Sequence, residues 1–123
     1  MTVLIDSCVW IEYFEGSNKS KKVLKYIEKE VTLIASTINI AEIYRHFLSK
    51  KSVKEADEAI NLILKRCYVF PVNLDISILS AQLKYKHKMT LGDALILSTA
   101  TIKNAKLITF DSDFKTFENC EVY

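Results

Sequence analysis

Only two glycines and one proline interrupt 123 residues. The chain therefore lacks the punctuation of a loop-rich or low-complexity protein, and it shows no internal repeat. No apolar stretch approaches the roughly 18 residues of a membrane span. The N-terminus has neither the basic patch nor the small-residue cleavage site of a signal peptide. A cytoplasmic protein with no membrane association is expected. The three cysteines, Cys8, Cys67 and Cys120, are odd in number and form no Cys-x-x-Cys pair. That pattern argues against a disulfide framework and against a zinc site, and the thiols should be reduced. Cys8 lies close to Asp6 but reads as a small core residue rather than a nucleophile. The net charge is only +2, so the whole-molecule field does not suit a protein that coats itself in nucleic acid, although local basic clusters can still guide a polyanion.

What the chain does contain is 50% hydrophobic and 26% charged residues, the balance of one ordinary globular domain spanning 1–123. β-rich runs at 3–5, 32–35, 68–72, 106–110 and 121–123 alternate with longer segments of helical spacing. Val23, Leu24, Ile27 and Val31 recur at helical intervals, as do Val53, Ala56, Ile60, Ile63 and Cys67. By contrast "DALILSTA", 93–100, is apolar nearly all round at its start, which predicts a helix buried in the middle of the molecule. The alternation predicts an α/β fold with a central, mostly parallel sheet of four or five strands.

In such a sheet, ligand sites gather outside the carboxyl ends of the strands. Asp6 follows "VLI" and Asp111 follows "KLITF", so both should emerge at that edge. Glu42 stands in the first turns of the helix after "TLIA", and Asp93 at the start of its own helix. Each acid has an ordinary explanation. Thr90 with Asp93, and Asn39 with Glu42, have the spacing of capping boxes, while Asp6 and Asp111 can cap or make Asx turns. Together they raise a different problem. Like charges roughly 4 Å apart repel by about 4 kcal/mol per pair at an effective dielectric of 20, more than capping offsets. A divalent cation offsets it, because Mg²⁺ or Mn²⁺ takes hard carboxylate oxygens. Without metal, some of these acids should hold protons.

"LIDSCVWIEYF", "STINIAEIYR", "LGDALILSTA" and "LITFDSDF" resemble, in order and spacing, the motifs of PIN-domain ribonucleases, over nearly the whole chain. The compact size is most similar to the VapC toxins of type II toxin–antitoxin pairs. The resemblance implies a three-layer αβα fold and an Mg²⁺- or Mn²⁺-dependent endoribonuclease. It implies that Asp6, Glu42 and Asp93 are the first three site acids and Asp111 the fourth, with Asp113 as the substitute for Asp111. In this reading Asp6, Asp93 and Asp111 hold metal, while Glu42 orients or deprotonates the attacking water. The same resemblance implies a VapB-like antitoxin as partner and a homodimer.

Ser7 and Thr109 neighbour these acids and can support them through hydroxyl hydrogen bonds, or act as ordinary caps. "KYKHK", 84–88, and "YRHF", 44–47, mix basic and aromatic residues in the way that holds phosphates and stacks bases. Arg45 and Lys84 are the candidates for RNA contact, against the alternative of solvated helix faces. His46, four residues after Glu42, shares its helix face but suits an oxygen-preferring metal poorly. Trp10, Tyr13 and Phe14 read as core or as a groove for a partner. Two phosphotransfer readings fit worse. "DSDF" comes too late for an aspartyl-phosphate hydrolase, and Asp57, the mid-chain acid of a receiver reading, lies in a helical run. A PIN-like module that binds RNA or protein without cutting, and a housekeeping RNA-processing nuclease, remain open.

Overall fold

The computed structural model describes residues 1–123. Five strands, β1 (Thr2–Ile5), β2 (Thr32–Ser36), β3 (Cys67–Phe70), β4 (Lys106–Thr109) and β5 (Cys120–Val122), form one sheet in the order β3-β2-β1-β4-β5. Every pairing is parallel. In register, Leu4 lies opposite Ile34 on one side and Leu107 on the other. The chain fills the sheet from β1 outward in one direction, then returns to β1 and fills the other. That reversal opens a crevice at the carboxyl ends of β1 and β4, the place where ligands bind in open α/β sheets.

Strands covered on both faces need apolar residues at successive positions rather than at alternate ones. Val3 and Ile5 face one side, Leu4 the other, and all three are fully buried. The first face packs on α1 (Ser7–Phe14), α3 (Thr37–Lys50) and α4 (Val53–Arg66), through Trp10, Ile43, Phe47 and Ile63 among others. The second packs on α6 (Leu91–Ile102) through Ile96, Leu97 and Ala100, and α5 (Leu74–Lys86) lies against α6. The three layers expected from the sequence are thus present. So is the buried helix: Ala94 and every residue from Ile96 to Ala100 are out of solvent. Trp10 is core, its ring stacked on Phe14 at 5.8 Å and edge-on to Tyr13. No helix is long and apolar enough to cross a membrane.

The scarce glycine is used where a helix must stop. Gly16 follows α1 at φ +69°, and Asn104 does the same work after α6 at φ +53°. Two expected helices are shorter than their apolar spacing. The segment holding Val23, Leu24, Ile27 and Val31 is a 3₁₀ turn, Lys19–Val23, followed by α2 (Leu24–Ile27) alone. At the end of α2 and just past it, the carbonyls of Tyr26, Ile27, Lys29 and Val31 all accept from the Arg66 guanidinium at 2.7–3.2 Å. A long-range cation thus takes the acceptors that further helix would have needed. Likewise Cys67, spaced as a helical residue, opens β3. That strand stops at Phe70, because Pro71 has no N–H to give the ladder.

Candidate active site

Asp6 is the residue after β1 and the N-cap of α1, its Oδ1 accepting from the Ser7 N–H at 2.8 Å. The capping reading is therefore met at this carboxylate. Its own N–H continues the ladder to the Ile108 carbonyl at 2.9 Å, which holds it at the β1–β4 crevice. Across that crevice the Thr109 hydroxyl donates to Asp6 Oδ2 at 2.8 Å and accepts from the Asp111 N–H at 3.0 Å. Thr109 thereby ties the acid of β1 to the acid that follows β4. Asp111 in turn caps the 3₁₀ turn Ser112–Phe114, accepting from the Asp113 N–H at 2.9 Å.

Glu42 lies in the second turn of α3 and is exposed. The expected Asn39–Glu42 capping box is absent. Asn39 instead forms the box with Ser36, its Oδ1 accepting from the Ser36 N–H at 2.9 Å. This frees the Asn39 Nδ2 group to donate to the Ser7 hydroxyl at 2.9 Å. With its lone pair so engaged, Ser7 directs its hydrogen to Glu42 Oε1 at 2.7 Å. Asn39, wholly buried, thus both caps α3 and supports the Ser7–Glu42 bond, a link that spacing did not reveal. The available signal was an amide three residues after a Ser at a strand end. The other Glu42 oxygen reaches over the start of α6, where a Cβ on Gly92 would stand 3.4 Å from Oε2.

Asp93 is in the first turn of α6, whose N-cap Thr90 accepts from the Asp93 N–H at 3.1 Å, as its spacing predicts. Burial raises the Asp93 carboxyl above its ordinary value of 3.8, and the charges of Asp111, then Glu42, then Asp113 raise it further, while the Thr90 hydroxyl pulls it down. Asp6, only 6% exposed, is pushed from 3.8 to about 6. Burial is the main cause, and the charge of Asp93 adds to it. Hydrogen bonds from Thr109, the Ser7 N–H and the Cys8 thiol act the other way. Asp93 thus lies within range of the charges of Asp111, Glu42 and Asp113, and Asp6 within range of its own. Asp111 acts on Asp93 more strongly than the exposed Asp113 does.

No lysine, arginine or histidine neutralises these five carboxylates. The ion pairs of the chain are His46 with Glu15 and Lys106 with Glu121. His46 is turned to Glu15 at 2.8 Å rather than to the acids, and Asp57 lies in α4, accepting from the Tyr44 hydroxyl. Burial, and then the Asp6 charge, push the Cys8 thiol up to about 12, so it stays protonated and is no nucleophile at neutral pH. Arg45 is exposed one turn beyond Glu42. Lys84 lines a cleft that also holds Asp93. The donor set, carboxylate oxygens without a protein counter-charge, fits a hard divalent cation. As the side chains stand, no three of them gather at one point to hold an ion. Ligation requires the half-exposed Asp93, Asp111 or the exposed Glu42 to turn inward.

Solved structures share this architecture. A toxin–antitoxin complex from Klebsiella pneumoniae aligns at TM-score 0.81 and 23% identity over 98% of this chain and 96% of that one. The VapBC2 complex of Rickettsia felis, bound to a DNA fragment from its promoter, aligns at 0.81 and 19% over 100% and 99%. VapC20 of Mycobacterium tuberculosis, a sarcin–ricin loop cleaving toxin, aligns at 0.77 and 15% over 94% and 95%. No curated protein matches the chain. At these identities the structural likeness establishes the fold. The family model of the PIN domain matches residues 3–119, all of the sheet but Thr2 and the last strand, and the chain belongs to the PIN domain family.

Proposed function

We propose that this chain, acting as one domain over residues 1–123, is an Mg²⁺- or Mn²⁺-dependent endoribonuclease and the toxin of a VapBC-type pair. The single observation that supports the reading is that acids from four elements lie within range of the charge of Asp93, and none of them is held in an ion pair. Asp6, Asp93 and Asp111 are the residues to hold the cation. When bound, it lowers the pKa of attacking water and neutralises charge building on the phosphate. Glu42 takes the proton of that water at Oε2, the oxygen left free, while Ser7 and Asn39 keep Oε1 in place. Thr109 holds Asp6 and the Asp111 backbone in step, and Asp113 stands by at the rim. Arg45 and Lys84 contact the RNA backbone on either side.

The structural relatives that are toxin–antitoxin complexes support a VapB-like antitoxin as partner. So does a groove of about 500 Å³ between α1, α3 and α4, with Phe14, Phe47 and Leu62 along it and Glu55 and Glu58 at its rim. A homodimer is supported by Leu74, Ile78 and Tyr85, three exposed apolar side chains on the outer helix α5. A cytoplasmic location follows from an RNA substrate and reduced thiols.

The test is cleavage of single-stranded RNA by the purified chain in Mg²⁺, in Mn²⁺ and in EDTA. Metal-dependent cutting that EDTA and either Asp6→Asn or Asp93→Asn abolish is expected. Cleavage that persists in EDTA, or an Asp93→Asn variant at the wild-type rate, rules the reading out.

A further inference from the structure

Clustered carboxylates repel the polyanion they act on, so an RNA chain needs a hold beside them. Such a hold is present on one flank. Where α5 meets α6 the surface opens into a cleft of about 520 Å³ that carries Lys84, His87 and Lys88 together with Asp93 and Asp113. A cleft of that size holds a nucleotide or two of single strand. Thr90 and Asp93, at the start of α6, line its inner side.

The three basic side chains are not equivalent. Lys84 Nζ donates to the Met89 carbonyl at 3.1 Å, closing the turn between the two helices. Lys88 and His87 are exposed, and neither enters an ion pair. The His87 ring is set edge-on against Phe117, with centroids 4.9 Å apart and planes at 70°. That contact orients the ring without covering it. An exposed, oriented ring beside a free ammonium, both adjoining Asp93, is the combination by which single-stranded RNA is held: a base against a flat side chain and a phosphate against a cation.

We propose that this cleft is the track of the RNA strand on one side of the cut. Lys88 binds the phosphate next to the scissile one, the His87 ring supports a neighbouring base, and Lys84, beside its backbone contact, holds the turn. The proposal deepens the ribonuclease reading and rests on it for the identity of the polymer.

The test is equilibrium binding of a short labelled single-stranded RNA in EDTA, where metal-dependent cutting is off, across roughly 50–300 mM KCl. Lys88→Gln should weaken binding about three- to tenfold and flatten the salt slope by about 0.7, the share of one phosphate contact on a single strand. His87→Ala should weaken it about fivefold or more with the slope unchanged, as loss of stacking does. Lys65→Gln, at an exposed lysine in the last turn of α4, should change neither. Equal losses in all three variants, no loss at Lys88 or His87, or no RNA binding by the wild type overturns the proposal. Cleavage in Mn²⁺, run in parallel, keeps the two readings apart. If the wild type cuts and the Lys88 and His87 variants bind and cut as it does, the cleft is wrong and the nuclease stands. If nothing cuts while binding depends on Lys88 and His87, the track stands and the nuclease reading falls.

Discussion

Asp6→Asn should make the metal-free protein more stable, although Asp6 is fully engaged in hydrogen bonds. Burial and the Asp93 charge raise its carboxyl from 3.8 to about 6. A carboxyl raised in the folded state favours folding when protonated. That advantage is whole below pH about 4 and is lost as pH rises through about 6. Above pH 6 the ionised Asp6 therefore costs about 3 kcal/mol, because each tenfold change in proton affinity on folding is worth about 1.4 kcal/mol. Asn keeps the shape and the acceptor for the Ser7 N–H. Its amide, however, meets a Thr109 hydroxyl that already accepts from Asp111, which costs about 1 kcal/mol. A net gain of about 2 kcal/mol at pH 7.5 follows, on the order of 5–10 °C in Tm for a chain of this size. Urea unfolding in EDTA at pH 4 and at pH 7.5 measures it. The variant should exceed the wild type at pH 7.5 and match or fall below it at pH 4. A variant no more stable than wild type at pH 7.5, with a difference independent of pH, would refute the reasoning.

Thr109→Val removes the donor to Asp6 and the acceptor for the Asp111 N–H, at a cost of about 1–3 kcal/mol. Because that hydroxyl is the main influence lowering the Asp6 carboxyl, the acid limb of cleavage should move to higher pH, and Thr109→Ser should restore it; pH–rate profiles of the three proteins decide. Ser7→Ala frees Glu42 Oε1 and leaves the Asn39 amide without its acceptor. A loss of about tenfold in kcat, equal to about 1.4 kcal/mol, with little change in KM is expected from steady-state kinetics. Arg66→Ala strips four backbone carbonyls of their shared donor and should cost about 3 kcal/mol by urea unfolding, whereas Arg66→Lys, which cannot fork to four acceptors, should recover only part.

Strands and the edge at which the acids emerge were legible because both are local matters: a run such as "VLI" followed by an Asp states where a buried strand ends. The buried character of α6 was legible for the same reason, in "DALILSTA". Sheet order was not, since nothing local to β1 says that β2 and β4 flank it. The stop of α2 at Ile27 was hidden because its cause, Arg66, lies 39 residues further on. Within the site, spacing paired Asn39 with Glu42 in a capping box, whereas Asn39 completes the box with Ser36 and reaches Glu42 only through Ser7. The bond from Ser7 to Glu42 spans 35 residues and that from Thr109 to Asp6 spans 103. Positions of acids can be read from motifs, whereas the hydroxyls that orient them depend on which strands become neighbours.

The central claim is that acids from distant parts of the chain form one cation site around Asp93. The most direct measurement is anomalous diffraction from crystals of the protein grown or soaked in Mn²⁺. A peak within about 2.0–2.3 Å of carboxylate oxygens of both Asp6 and Asp93, with Asp111 or Glu42 turned toward it, is expected. Full Mn²⁺ exposure with no peak at the β1–β4 crevice, or a peak held by other residues while these acids keep their present rotamers, would contradict it.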